Sequence, residues 1–226
     1  MSIKRKVLAV AATMTMMGGV SAASLLPADA STGPCPTCAT NLWGEEYPGS
    51  FVLDDWRQGE NVGQPIILYR ASNTDPAEDF TILDQGYVYT YYADGMVSSV
   101  VNLEYGNYEA YEVEYSPYGV NSGLCIGIAS TAANDTPVAL EKCGASSKTV
   151  WVTDSGVPNL EYYAWINGSD TNSSNPYVLH YPIYAYPTDT PRAQLTTYGL
   201  QQYSNGEVYD NEEWAGLNAV APPPPT

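Results

Sequence analysis

The stretch from Gly123 to Asp154, GLCIGIASTAANDTPVALEKCGASSKTVWVTD, constrains this chain more than any other, because the chain echoes it on both sides. It reads as a strand, a polar turn, a second strand, another turn and a Trp-bearing strand. Leu53 and Pro65 in an earlier block stand at the same separation as Cys125 and Pro137 here, and Leu179 and Pro191 repeat that separation later. The turn Asn134-Asp135-Thr136-Pro137 is nearly restated as Thr188-Asp189-Thr190-Pro191. Each block closes on an aromatic residue: Phe80, Trp151 or Trp214. A strand pair with one hydrophobic anchor cannot bury its apolar face alone, so three such units must share one core. A closed barrel with pseudo-threefold symmetry satisfies that need. The blocks are unevenly spaced, which requires long insertions between them.

The rest of the pattern agrees with an all-β chain. No segment from Asn41 onward keeps an apolar helical period for three turns. Short runs rich in Val, Ile, Leu, Tyr and Thr alternate with Gly, Pro, Asn and Asp. Strands are predicted over Ser50–Leu53, Pro65–Tyr69, Phe80–Leu83, Leu160–Trp165, Tyr177–His180 and Ala193–Thr197, with a turn over Gly59–Gly63. Tyr87–Tyr91 and Met96–Leu103 read as a strand pair about Asp94-Gly95, and Asn205-Gly206 as a hairpin turn. Tyr111–Tyr115 places Tyr and Val on one face and Glu112 and Glu114 on the other, as in a half-buried strand with an acidic outer face. The many tyrosines are expected to pack the interior of the fold.

The ends of the chain speak to compartment. Lys4-Arg5-Lys6 precede an apolar run and the small residues Ala28-Asp29-Ala30, the layout of a secretory signal over 1–30. The run is too short and too broken by Thr and Gly-Gly for a membrane anchor. A Pro-rich leader follows over 31–40, then one domain over 41–217 and a Pro-rich tail over 218–226. The full chain has a formal net charge of −17, and removal of the basic signal makes the remainder more acidic still. Such a surface repels phosphate backbones and anionic membranes, which argues against nucleic acid as a partner. Four cysteines in an exported chain imply two disulfides. The local pairing joins Cys35 to Cys38 and Cys125 to Cys143, with other pairings open. Pro34 and Pro36 flank Cys35 and no helix follows, so the Cys-Pro-Thr-Cys run reads as a structural clip and not as a redox site. Asn134, Asn167 and Asn172 head glycosylation sequons.

Cys125, the turn Asp135-Thr136-Pro137-Val138, Cys143 and Trp151 stand where the ricin-B-type β-trefoil lectin repeat carries its two cysteines, its Thr-Pro-Val turn and its terminal Gln-x-Trp. The central block thus resembles that family. Ser72-Asn73-Thr74-Asp75 before Phe80 and Asn211-Glu212-Glu213-Trp214 are similar in the outer blocks. The chain is also similar to a group of secreted actinobacterial trefoil-like proteins without an assigned activity. The resemblance implies an all-β, β-trefoil fold. It also implies a sugar pocket made of an Asp, an aromatic plate and an Asn or Gln near the repeat's end. In the first block Asp55 matches the Asp and Tyr69 the plate, with Trp56 as a second aromatic, while Ala77 and Glu78 take the Asn-Gln places. The second block has Gly127 and Glu141 in place of Asp and plate, and the third has Tyr181 and Leu195. The candidate ligand-binding residues are therefore Asp55, Trp56, Tyr69 and Glu78.

Catalytic patterns are thin. His180, the only histidine, lies in a strand-like run without a motif and reads as structural. Paired carboxylates are too numerous to single out a glycosidase site. No metalloprotease, phosphate-loop, dinucleotide or calcium-loop pattern occurs, so no cofactor is expected, although the acidic surface leaves incidental calcium binding open. The expected function is that of a secreted, non-catalytic, lectin-like protein that binds extracellular glycans. The alternatives are an interaction or protease-inhibitor-like protein using its loops, and a hydrolase with an unrecognised site.

Overall fold

The computed structural model describes residues 51–72, 75–153, 162–182 and 193–215. The expected signal, the leader with Cys35 and Cys38, the turn residues Asn73 and Thr74, Pro191 and the Pro-rich tail lie outside the described residues. The first block opens as an antiparallel hairpin of β1 (Phe51–Asp55) and β2 (Ile66–Arg70), with Leu53 opposite Leu68 and Asp54 opposite Ile67. β3 (Phe80–Tyr87) pairs with β4 (Glu109–Tyr115). The central block supplies β5 (Leu124–Ile128), β6 (Thr136–Lys142) and β7 (Val150–Thr153). The third supplies β8 (Tyr162–Tyr163), β9 (Ile166–Asn167), β10 (Tyr177–His180), β11 (Thr196–Gly199) and β12 (Trp214–Ala215).

These strands close on themselves. β4 pairs with β5, β5 with β6, β6 with β11, β11 with β10, β10 with β9, β9 with β7, and β7 returns to β4. β3 flanks this circuit, β12 pairs with β8, and the β1–β2 hairpin joins the barrel through bridges Pro65–Ala139 and Ile67–Gln194. The three aromatic anchors meet inside: Phe80, Trp151 and Trp214 share one buried cluster with Leu53 and Leu179. The Trp151 indole N–H donates to the Ile126 carbonyl at 2.9 Å, and that of Trp214 to the Leu179 carbonyl at 3.0 Å. Each indole is thus satisfied by a strand of its own block, β5 for Trp151 and β10 for Trp214, as a buried polar atom requires. The Cys125–Cys143 disulfide ties β5 to the end of β6, with Cα atoms 5.0 Å apart.

Three expectations are corrected. The strand pair expected over Tyr87–Tyr91 and Met96–Leu103 is two short helices, α1 (Val88–Ala93) and α2 (Ser99–Tyr105). Val88 and Tyr91 on α1, and Val101 and Tyr105 on α2, pack on Val150, Val152, Ile166 and Val178, on the outer side of the barrel wall. The Ser98 side chain caps α2 by accepting from the Val101 amide at 3.0 Å. Burial against the barrel overrides the strand preference of the Tyr and Val residues. The acidic face of β4 is not outward: Glu112 and Glu114 are only 4% and 2% exposed. Glu114 accepts from the Gly123 amide at 2.6 Å, and Glu112 from the Gly144 amide at 2.9 Å and the Thr149 hydroxyl at 2.5 Å. Turns cover that face, and their amide donors need acceptors once removed from water. The strands expected over Leu160–Trp165 and Ala193–Thr197 are displaced, into β8 with β9 and into β11. The Asn205-Gly206 turn forms as expected, with Gly206 at φ 91° and a bridge between Gln202 and Val208. Among the described residues no helix is long and apolar enough to cross a membrane.

Candidate functional site

Strand alternation sorts the first block. Leu53 is a core anchor, so Asp55, two residues on, also faces the core. Asp54 faces the other way. Asp54 lies directly across from Ile67, and Tyr69, two residues further along β2, shares that face. Trp56, two residues past Asp54, continues it beyond the strand end, with its amide donating to the Pro65 carbonyl at 3.0 Å. The result is a concave pocket of about 250 Å3 lined by Asp54, Trp56, Arg57, Ile67, Tyr69, Asp75 and Ala77.

The turn after Trp56 shapes the rim. Arg57 and Gln58 both adopt the left-handed backbone region, at φ 66° and 56°, which is uncommon for residues other than glycine. The Gln58 amide donates to the Asp55 carbonyl at 3.1 Å, and the Gln64 side-chain amide donates to the Trp56 carbonyl. Arg57 lies with its guanidinium 5.1 Å from the centre of the Trp56 ring. On the opposite wall, Asp75 accepts from the Ala77 amide at 3.0 Å, capping the 3-10 turn Pro76–Glu78, and from the Gln58 side chain at 2.8 Å.

The structure brings Trp56 and Tyr69 into this pocket, with Asp54 as the carboxylate beside them. Asp55 lies beneath it, fully buried in the hairpin's core face. Neither Asp55 oxygen completes a hydrogen bond. Burial first, and then the Asp54 charge, push the Asp55 carboxyl up from 3.8 to about 8, and the nearby Gly59 amide offsets only part of this. The Tyr115 hydroxyl is likewise buried without a hydrogen bond, and burial followed by the Asp55 charge raises its ionisation too. Glu78 is fully buried, and its two oxygens accept from the Ser72 amide at 2.9 and 3.0 Å. One carboxylate oxygen each from Asp54, Asp75 and Glu78 lies within 4.8 Å of the other two, the one set among the described residues with a spacing that could hold a metal ion.

The other blocks are closed at the matching places. A side chain at Gly127 would meet the Thr149 methyl at 2.9 Å, and Tyr181 is buried at 1% exposure. His180 is buried in the third block, with Nδ1 3.1 Å from Glu212 Oε1 and its ring stacked on Tyr198 at 4.9 Å. The second Glu212 oxygen accepts from the Gln201 amide at 2.7 Å. Burial raises the Glu212 carboxyl, and the His180 hydrogen bond counters part of that rise. Glu78, Thr149 and Glu212 each stand two residues before the anchors Phe80, Trp151 and Trp214. All three are buried, as is expected of residues that position the end of a repeat. Asp54, Arg57, Ile67 and Asp75 line the pocket without having been candidate ligand residues in the sequence. The signal available for Asp54 was its parity relative to Leu53.

No family model matches the chain, and no curated protein matches it. Among solved structures it is similar to a designed threefold-symmetric protein, ThreeFoil, at 15% identity over 80% of this chain and 96% of that one, with a TM-score of 0.51. It is also similar to a mosquitocidal holotoxin at 14% identity over 79% of this chain and 16% of that one, with a TM-score of 0.48. The fold is all-β, a β-trefoil.

Proposed function

We propose that this chain is a non-catalytic carbohydrate-binding protein that uses the first-block pocket and works outside the cell. The observation that carries the reading is the convergence of Trp56, Tyr69, Asp54 and Asp75 on one concavity of about 250 Å3. Aromatic faces take the CH face of a sugar ring, and carboxylates accept hydrogen bonds from its hydroxyls. Strand parity assigns the accepting role to Asp54. Asp55 and Glu78 support the pocket from beneath and beside it. Among the described residues, the second and third blocks serve as scaffold at the matching places. The Cys125–Cys143 bridge supports an oxidising compartment, in keeping with the signal-like start and one domain over 41–217.

A glycan array followed by a polysaccharide pull-down tests the reading. Binding that falls strongly in Trp56→Ala and Asp54→Asn, and persists in Asp55→Asn, supports it. Binding unaffected by Trp56→Ala and Asp54→Asn moves the site elsewhere. No glycan binding, together with inhibition in a protease panel or turnover on polysaccharide or ester substrates, replaces the reading outright.

A further inference from the structure

We infer that the first-block pocket selects a sugar bearing a protonated amine, a deacetylated amino sugar, over neutral and acidic sugars. The inference rests on the pocket being a sugar site and names the class of sugar it takes. Three observations carry it.

The first is charge. Asp54 and Asp75 both line the pocket, and a Glu78 oxygen lies within 4.8 Å of an oxygen of each. Arg57 is the one cationic side chain lining it among the described residues. Between Arg70 and Lys142 the sequence contains no Lys or Arg at all. Arg70 itself lies over the Phe51 ring, 5.8 Å from its centre. A carboxylated or sulfated sugar would meet repulsion here, and an ammonium group would meet attraction.

The second is the pairing of those carboxylates with aromatic rings. Trp56 and Tyr69 share the concavity with Asp54 and Asp75. An aromatic face attracts a cation through its quadrupole, and a neighbouring carboxylate adds a charge-assisted hydrogen bond. A neutral hydroxyl gains much less from the same surroundings.

The third is Arg57. Its guanidinium sits 5.1 Å from the Trp56 ring centre, so the chain already places one of its own cations in the pocket. Its backbone and that of Gln58 are left-handed, and the Gln58 amide returns to the Asp55 carbonyl at 3.1 Å. A ligand ammonium and the Arg57 guanidinium therefore compete for the same negative, aromatic surroundings. Arg57 is a competitor that the ligand displaces or crowds, and so it sets affinity without being needed for it. This predicts an unusual sign, because removing a polar residue that lines the pocket should tighten binding.

Titration calorimetry with a glucosamine tetramer and an N-acetylglucosamine tetramer tests the inference, at a pH where the free amine is protonated. The glucosamine tetramer is expected to bind about tenfold more tightly, the value of one charge-assisted contact. Asp75→Asn should erase that preference while keeping the cap on the Pro76–Glu78 turn, since Asn caps as well as Asp. Asp54→Asn should act likewise, and the less buried Asp75 position decides the matter if that variant does not fold. Arg57→Ala should strengthen glucosamine binding several-fold and leave the acetylated tetramer unimproved. Equal or tighter binding of the acetylated tetramer, lost in Trp56→Ala, overturns the amine preference and leaves the sugar site standing. Glucosamine binding that survives Trp56→Ala marks general attraction to an acidic surface and overturns the inference. If neither tetramer binds and a glycan array is blank, the sugar reading falls and takes the inference with it.

Discussion

Asp55 is a carboxylic acid held in a protein core without a hydrogen bond, and its replacement by the isosteric amide has a calculable consequence. In the unfolded chain this group ionises near 3.8, and in the folded protein only near 8. Between those values the folded state carries one proton more than the unfolded state. Stability therefore falls as pH rises across that window, and levels off above it. At about 1.4 kcal/mol per unit, the full span has an upper bound of about 6 kcal/mol, which solvent screening reduces to a few kcal/mol. Asp55→Asn removes this dependence while keeping the shape of the side chain. The variant should differ little from the parent near pH 4, and should be the more stable of the two by a few kcal/mol near pH 8. Urea unfolding followed by tryptophan fluorescence measures the difference at each pH. Asp170 and Glu212 also have raised ionisation, so the parent's own curve combines several groups, and the difference between variant and parent isolates Asp55. A gap that stays constant from acid to alkaline pH would refute the reasoning. It would mean that the carboxyl finds water or a partner in solution.

Three further outcomes follow from the packing. Trp151→Ala empties the centre of the barrel and breaks the indole bond to Ile126, and should cost about 3–5 kcal/mol in denaturant unfolding, with the m-value checked for loss of cooperativity. Replacing Cys125 and Cys143 by alanine opens a loop with a sequence separation of 18, and should lower stability by about 3 kcal/mol, read as a fall in Tm. Glu112→Ala orphans the Gly144 amide and leaves the Thr149 hydroxyl only the Ser146 carbonyl, at 3.1 Å, and should cost about 1–3 kcal/mol despite lying in a strand whose pattern looks amphipathic. Hydrogen exchange at Gly144 should quicken in the same variant, and an unchanged rate would show that water replaces the carboxylate there.

The threefold repeat was legible in the residues themselves, because each block must bring an apolar strand residue, a turn and an aromatic anchor to one core. Leu53, Leu179, Phe80, Trp151 and Trp214 do meet there. The Cys125–Cys143 pairing and the Asn205-Gly206 turn were legible for the same reason, since local spacing and backbone preference act over a few residues. Three features depended on what lies across the fold. The Tyr- and Val-rich segments after β3 become helices because the outer barrel wall offers an apolar surface two short helical faces can cover. Glu112 and Glu114 turn inward in function, although alternation alone reads them as an outer face, because distant glycine turns bring amides that need acceptors. The choice between Asp54 and Asp55 lies between these extremes. Parity with Leu53 assigns the faces, but only the tertiary fold closes one face into core and leaves the other as a pocket with Trp56, Tyr69 and Asp75. Sequence by itself determined the repeat and the anchors and offered the local cysteine pairing that the structure then formed, because these rest on local chemistry. Tertiary structure decided which carboxylates are buried and which line a site, because burial and electrostatic surroundings are set by residues far apart along the chain.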